Sequence, residues 1–203
     1  MRGTRLSARI ALLALLALLA LATPLVKHAL ETSMAAQMLL QLPLLIGVGV
    51  LLSRALPHGV LARIAPWNQL GITGLVMASV AIAFWMLPRM LDASVAEPLV
   101  CVAKYLSLPL LAGLPFAISW PRMGFIVRGV FLLELIATFF RLGRLYLISP
   151  QRLCNLYLLD DQQRLGQYML AIGAVMLLGV AGKLLWGRFD TLAQCGAAAN
   201  GAR

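Results

Sequence analysis

An all-α integral membrane protein of about six transmembrane helices in one bundle is the fold class predicted by three features of the sequence. Of 203 residues, 62% are hydrophobic and only 12% are charged, a balance outside the range of soluble domains. Polar punctuation divides the chain into six apolar runs, near residues 10–26, 35–53, 69–88, 98–120, 125–148 and 166–186. A hydrocarbon core about 30 Å thick needs about 20 apolar residues per helix. No run alternates with the period of two that marks a barrel strand, and backbone groups in lipid must be satisfied within the segment, so helices are the reading. Residues 1–203 form a single polytopic membrane domain with no soluble domain or long linker.

The first run, in "MRGTRLSARIALLALLALLALAT", has a basic start, an apolar stretch and a small-x-small exit at Ala20 and Ala22. A cleaved signal peptide shares those features. Residues 10–26 are long enough to span, which favours a retained first helix. Trp67, Trp85, Trp120 and Trp186 fall at run ends, where an aromatic belt places them.

Basic residues set the orientation. With the N-terminus inside, the inner segments hold Arg2, Arg5, Arg9, Arg54, Arg63, Arg122, Arg128, Lys183, Arg188 and Arg203. The outer side holds Lys27, Arg89, Arg141, Arg144, Arg152 and Arg164, which predicts N-in and C-in in a multi-pass inner (plasma) membrane protein. The net charge of +10 is then topology and anionic-lipid contact. No basic stripe interleaved with stacking aromatics points to nucleic acid.

Lys104 and Glu134 stand inside apolar runs, and such residues usually face the protein interior. Their depths, at about 1.5 Å per residue, bring them within side-chain reach and predict a structural ion pair. At the entrance to the sixth run, "YLLDDQQRLGQYML" (157–170) sets Asp160 as a helix N-cap with Gln163 as its capping-box partner. Gly47, Gly49, Gly71, Gly74, Gly179 and Gly182 read as close helix packing.

Conventional catalysis finds little support, so a non-enzyme is expected. There is no Ser-His-Asp or Cys-His constellation, Gly-rich phosphate loop or HExxH motif. Soft metal donors do gather on the outer side. Met34 and Met38 are four apart, Met86 and Met90 are four apart, and His28, Cys101 and Cys154 share that side. Cys and Met suit Cu(I). The alternative is that each Met fills a gap in helix packing. A disulfide between Cys101 and Cys154 competes with the metal, while Cys195 lies in the inner tail.

Four stretches in order resemble the CtaG family of cytochrome c oxidase assembly proteins: "SMAAQMLLQLPLL" from Ser33, "FWMLPRMLDASV" from Phe84, "CVAKYLSLPLLAGLPF" from Cys101 and "SPQRLCNLYLLDDQQRLGQYML" from Ser149. The last carries the family's Asp-Gln step at Asp161 and Gln162. The resemblance implies a multi-helix membrane protein that assists oxidase assembly, handling or relaying Cu(I) at the outer face. Implied partners are the lipid bilayer and an oxidase subunit or copper carrier. Where the family has His pairs, this chain has Gln37 and Gln41 in one stretch and Cys101 and Tyr105 in another. An amide oxygen is a poor copper ligand, so a metal-free scaffold or accessory subunit is the second reading. Solute transport, which predicts a polar cavity and paired half-helices, is the third.

Overall fold

The computed structural model describes the backbone of residues 2–150, 154 and 157–200, and the side chains of 7–57, 59–150, 154 and 157–185. Among these residues it is predominantly helical, without a strand. Proline punctuates the chain. Pro24, Pro88 and Pro98 each open a helix after a residue in extended conformation, where a fixed φ helps and a missing N–H costs nothing.

The helices are α1 (Arg2–Ala22), α2 (Pro24–Glu31), α3 (Met34–Ser53), α4 (His58–Ile64, continued by a 3-10 turn over Ala65–Asn68), α5 (Ile72–Trp85), α6 (Pro88–Ala96), α7 (Pro98–Arg122), α8 (Phe125–Ile148) and α9 (Leu159–Asn200). Two elements turn sharply. At Thr23 the chain bends 65° between α1 and α2, and the Thr23 hydroxyl donates to the Ala20 carbonyl at 2.7 Å. Between α4 and α5 it bends 91° at Gly71, whose φ of +71° is left-handed and open to glycine at little cost.

Three helices are long and apolar enough to cross a membrane: Met34–Ser53, Pro98–Arg122 and Leu159–Leu185, or five if each bent pair counts as one span. The expected first run ends as a helix at Ala22 rather than continuing to Val26, and α5, with 14 residues, is only about 21 Å long on its own. α8 has 24 residues but carries Arg128, Glu134, Arg141 and Arg144. α9 starts at Leu159, so Asp160 lies within its first turn and is not the N-cap. Asp160 and Asp161 there still face the positive end of the helix dipole.

Backbone contact positions the site. α3 crosses α7 where Gly49 meets Pro109 and Gly113; a Cβ on Gly113 would collide with the carbonyl of Ile46. α5 meets α7 at Gly74 and Ser119, beside Asn68, whose amide donates to the Ser119 hydroxyl at 2.8 Å. α8 and α9 form a hairpin crossing at Gly143 and Gly166. Small residues at these crossings let helices approach without a hydrophobic drive between them in lipid. Of the six glycines expected to pack, Gly49, Gly71 and Gly74 do, while Gly47, Gly179 and Gly182 have open space where a Cβ would be. Leu12, Leu19, Val130, Leu133, Val175 and Leu178 are exposed, as a lipid-facing belt requires.

Candidate functional site

Two apolar clusters fill the interior, one around Met34, Met38, Tyr146 and Met169, the other around Leu42, Trp85, Tyr105 and Leu108. Between them lie polar side chains with no surface exposure: Gln37, Gln41, Ser94 and Lys104. Buried polar groups persist only when their hydrogen bonds are made, and these are linked into one network.

Local structure aims the two glutamines. Residues Gln37–Gln41 form a π-helical turn, closed by the Leu42 N–H donating to the Gln37 carbonyl. Pro43 follows, and its missing N–H removes the α-helical bond that the Leu39 carbonyl would accept. Gln37 and Gln41 are both buried on this turn, and π turns of this kind recur at functional sites. α7 has the same device over Leu108–Gly113, with Pro109 inside it, one turn after Lys104 and Tyr105.

Lys104 is the centre. Its Nζ donates to Gln41 Oε1 at 2.9 Å, to Ser94 Oγ at 3.0 Å and to Glu31 Oε1 at 3.3 Å, so each N–H of the ammonium has an oxygen. Gln41 turns its amide nitrogen to the Tyr105 hydroxyl at 2.9 Å and to Glu31 Oε1 at 3.3 Å. Tyr105 donates to the Leu21 carbonyl at 2.9 Å, at the end of α1. Gln37 donates to Ser94 Oγ at 3.3 Å. The Tyr157 hydroxyl shares its proton between Gln37 Oε1 at 2.8 Å and the Glu31 carbonyl at 2.9 Å.

Glu31 also lies 3.9 Å from Lys27 and, with Thr32, Val95, Tyr157, Leu158 and Asp161, lines an open cavity of about 300 Å³. The network therefore reaches the surface through Glu31 and Tyr157. Burial holds the Tyr157 phenol above its ordinary pKa, with the Glu31 carboxylate adding to the effect, so the hydroxyl keeps the proton that it donates.

The expected Lys104–Glu134 pair is not formed. Lys104 pairs with Glu31, 73 residues away in sequence, whereas Glu134 pairs with Arg141 at 2.6 Å on an exposed face of α8. Glu134 and Arg141 are two helical turns apart on one stripe, which places them side by side without help from another helix.

The soft donors divide. Met34, Met38, Met169 and Cys154 are buried in one cluster, with Met86 packed against it. Met86, Met90 and Cys101 border the other, and His28 is exposed on α2. The Tyr146 hydroxyl points at Met38 Sδ, 3.8 Å away. Cys101 and Cys154 are free thiols, not a disulfide. Burial and then the nearby Asp92 push the Cys154 thiol up to about 12, so in the metal-free chain it keeps its proton at neutral pH. Of the Asp-Gln step, Asp161 lines the cavity, and Gln162 is buried and donates to the Tyr146 carbonyl at 3.3 Å.

Glu31, Ser94 and Tyr157 belong to the site without having been singled out in the sequence. Ser94 and Tyr157 lie inside the second and fourth resembling stretches; Glu31 has only its place beside an apolar run to mark it.

Copper does not fit the motif positions. Their donors are amide and hydroxyl oxygens around an ammonium, and among the described residues no three His, Cys, Asp or Glu side chains come together. Cu(I) selects thiolate, thioether or imidazole. No family profile, curated protein or solved structure matches the chain. The likeness to CtaG proteins rests on the four short stretches alone.

Proposed function

We propose that this chain assists the assembly of a cytochrome c oxidase as a membrane-embedded scaffold that holds another membrane protein without carrying a metal at its motif positions. One observation carries the reading: each of the four stretches that resemble CtaG proteins gives a side chain to one network, Gln37 and Gln41 from the first, Ser94 from the second, Lys104 and Tyr105 from the third and Tyr157 from the fourth. Segments scattered over the sequence converge where a shared structural centre would be. The excess of Lys and Arg in the segments read as inner supports an outward-facing position for that end of the bundle in a plasma membrane.

The test is affinity purification of a tagged chain from its own host membrane after mild crosslinking. Oxidase subunits enriched over other abundant membrane complexes support the reading. A folded protein that enriches none of them removes it.

A second reading, Cu(I) handled by thioethers, is favoured by the gathering of Met34, Met38 and Met169 with Cys154 in one cluster, Met86 alongside. Anaerobic Cu(I) loading separates the two. Near-stoichiometric copper that is lost in Met34→Ala/Met38→Ala supports it, and a washed, folded protein without copper excludes it.

A further inference from the structure

We infer that the Lys104 side chain is a tethered cation filling an oxygen cage built for a primary ammonium group or a monovalent ion of similar size. The cage stands on its own geometry, whether or not the chain meets an oxidase.

Its walls come from separate elements: Gln41 from α3, Ser94 from α6 and Glu31 from α2. Each wall is fixed by a further contact. Gln41 is held by Tyr105, Ser94 by donating to the Leu91 carbonyl at 2.8 Å and accepting from Gln37, and the Glu31 backbone by Tyr157. The oxygens are thus oriented before the cation is counted, which is what a binding site requires and a chance buried lysine lacks. Nitrogen-to-oxygen distances of 2.9, 3.0 and 3.3 Å suit an ammonium. They are too long for calcium, which needs about 2.3–2.6 Å, and for magnesium, at about 2.0–2.1 Å.

Glu31 supplies the cage's carboxylate, with its side chain only 8% exposed; Lys104 is its nearer partner at 3.3 Å, and the more exposed Lys27 stands 3.9 Å away on the other oxygen. Removing Lys104 would leave that carboxylate with the Gln41 and Ser94 oxygens around a vacated space of lysine length. A small alkylammonium from solution has the charge, the donors and the width to occupy it.

The experiment uses the full chain in detergent, with Lys104→Ala, Lys104→Met and Lys104→Ala/Glu31→Gln. Thermal unfolding is followed with methylammonium chloride added, against tetramethylammonium chloride at equal ionic strength, which has no N–H to donate. Methylammonium should raise the midpoint of Lys104→Ala by about 3 to 6 °C at tenfold its dissociation constant. It should leave the native chain, Lys104→Met, whose hydrocarbon fills the space, and the uncharged double variant unmoved.

If Lys104→Ala does not fold unaided, recovery of a monodisperse chromatographic peak on expression and purification with methylammonium is the supporting result. No response to methylammonium in a folded Lys104→Ala overturns the inference. So does a Lys104→Ala that stays aggregated with methylammonium while the double variant folds, or equal response to both salts.

Discussion

Gln37 and Gln41 stand one π-helical turn apart on α3 and serve opposite arms of one network: Gln41 contacts Lys104 directly at 2.9 Å, and Gln37 reaches it through Ser94 and continues to Tyr157. Both amides lie on the buried face of α3, just before Pro43, within reach of polar groups from other elements. Gln41 therefore joins a charge to α3, while Gln37 joins two neutral hydroxyl groups.

That difference predicts unequal costs. Gln41→Leu takes an acceptor from a buried ammonium and a donor from Tyr105, and hydrogen bonds to charged groups are worth about 1.5 to 3 kcal/mol. Gln37→Leu removes neutral bonds of about 1 kcal/mol each. Denaturant or thermal unfolding in one detergent should rank Gln41→Leu below Gln37→Leu; the reverse order would mean that Lys104 is not the centre.

Helix crossings give a second ranking. Gly113→Val places a side chain against the Ile46 carbonyl and Gly49 Cα, backbone that cannot yield, so α3 and α7 must separate and the network opens with them. Overpacking costs about 1 to 3 kcal/mol and more where backbone is the obstacle. Gly47→Ala and Gly179→Ala meet open space and should gain about 0.5 to 1 kcal/mol from helix propensity. Midpoints of the three variants, measured side by side, decide it.

Cys154 supplies a pH prediction. Its thiol is raised from an ordinary 9.0 to about 12 by burial, with the Asp92 charge adding to it. A raised folded value contributes stability that is complete below the unfolded pKa and is lost as pH climbs from about 9 through about 12. In a Cys195→Ser background, maleimide at pH 7.5 should modify Cys101 well before Cys154, and Cys154 should stay slow up to pH 9. Rapid labelling of Cys154 at pH 7.5 would place it at the surface as a thiolate.

The sequence carried the helical membrane class because composition and run length are properties of a residue list. The candidate spans α3, α7 and α9 were legible for the same reason. α1 and α5 were harder to read, since the bends at Thr23 and Gly71 depend on single residues inside apolar runs. Lys104 was legible as a buried cation but its partner was not: depth along a helix says nothing of which face it occupies, and Glu134 turned out to share a stripe with Arg141. Gln37, Gln41 and Tyr105 were marked by the resembling stretches, but only folding shows that they meet around an ammonium. The methionine pairs looked alike as pairs, yet Met34 and Met38 entered one cluster while Met90 bordered the other.

The most direct measurement is a double-mutant cycle on the unfolding free energy of Lys104→Met and Glu31→Gln, with Lys104→Met and Glu134→Gln as the parallel cycle. Breaking a buried pair from one side costs about 3 to 5 kcal/mol because a charge is left unpaired. Each single change at Lys104 or Glu31 should therefore destabilise strongly, and the double variant should lose much less than their sum, whereas Lys104 and Glu134 should add. Additivity between Lys104 and Glu31, or coupling between Lys104 and Glu134, would contradict the network on which the account stands.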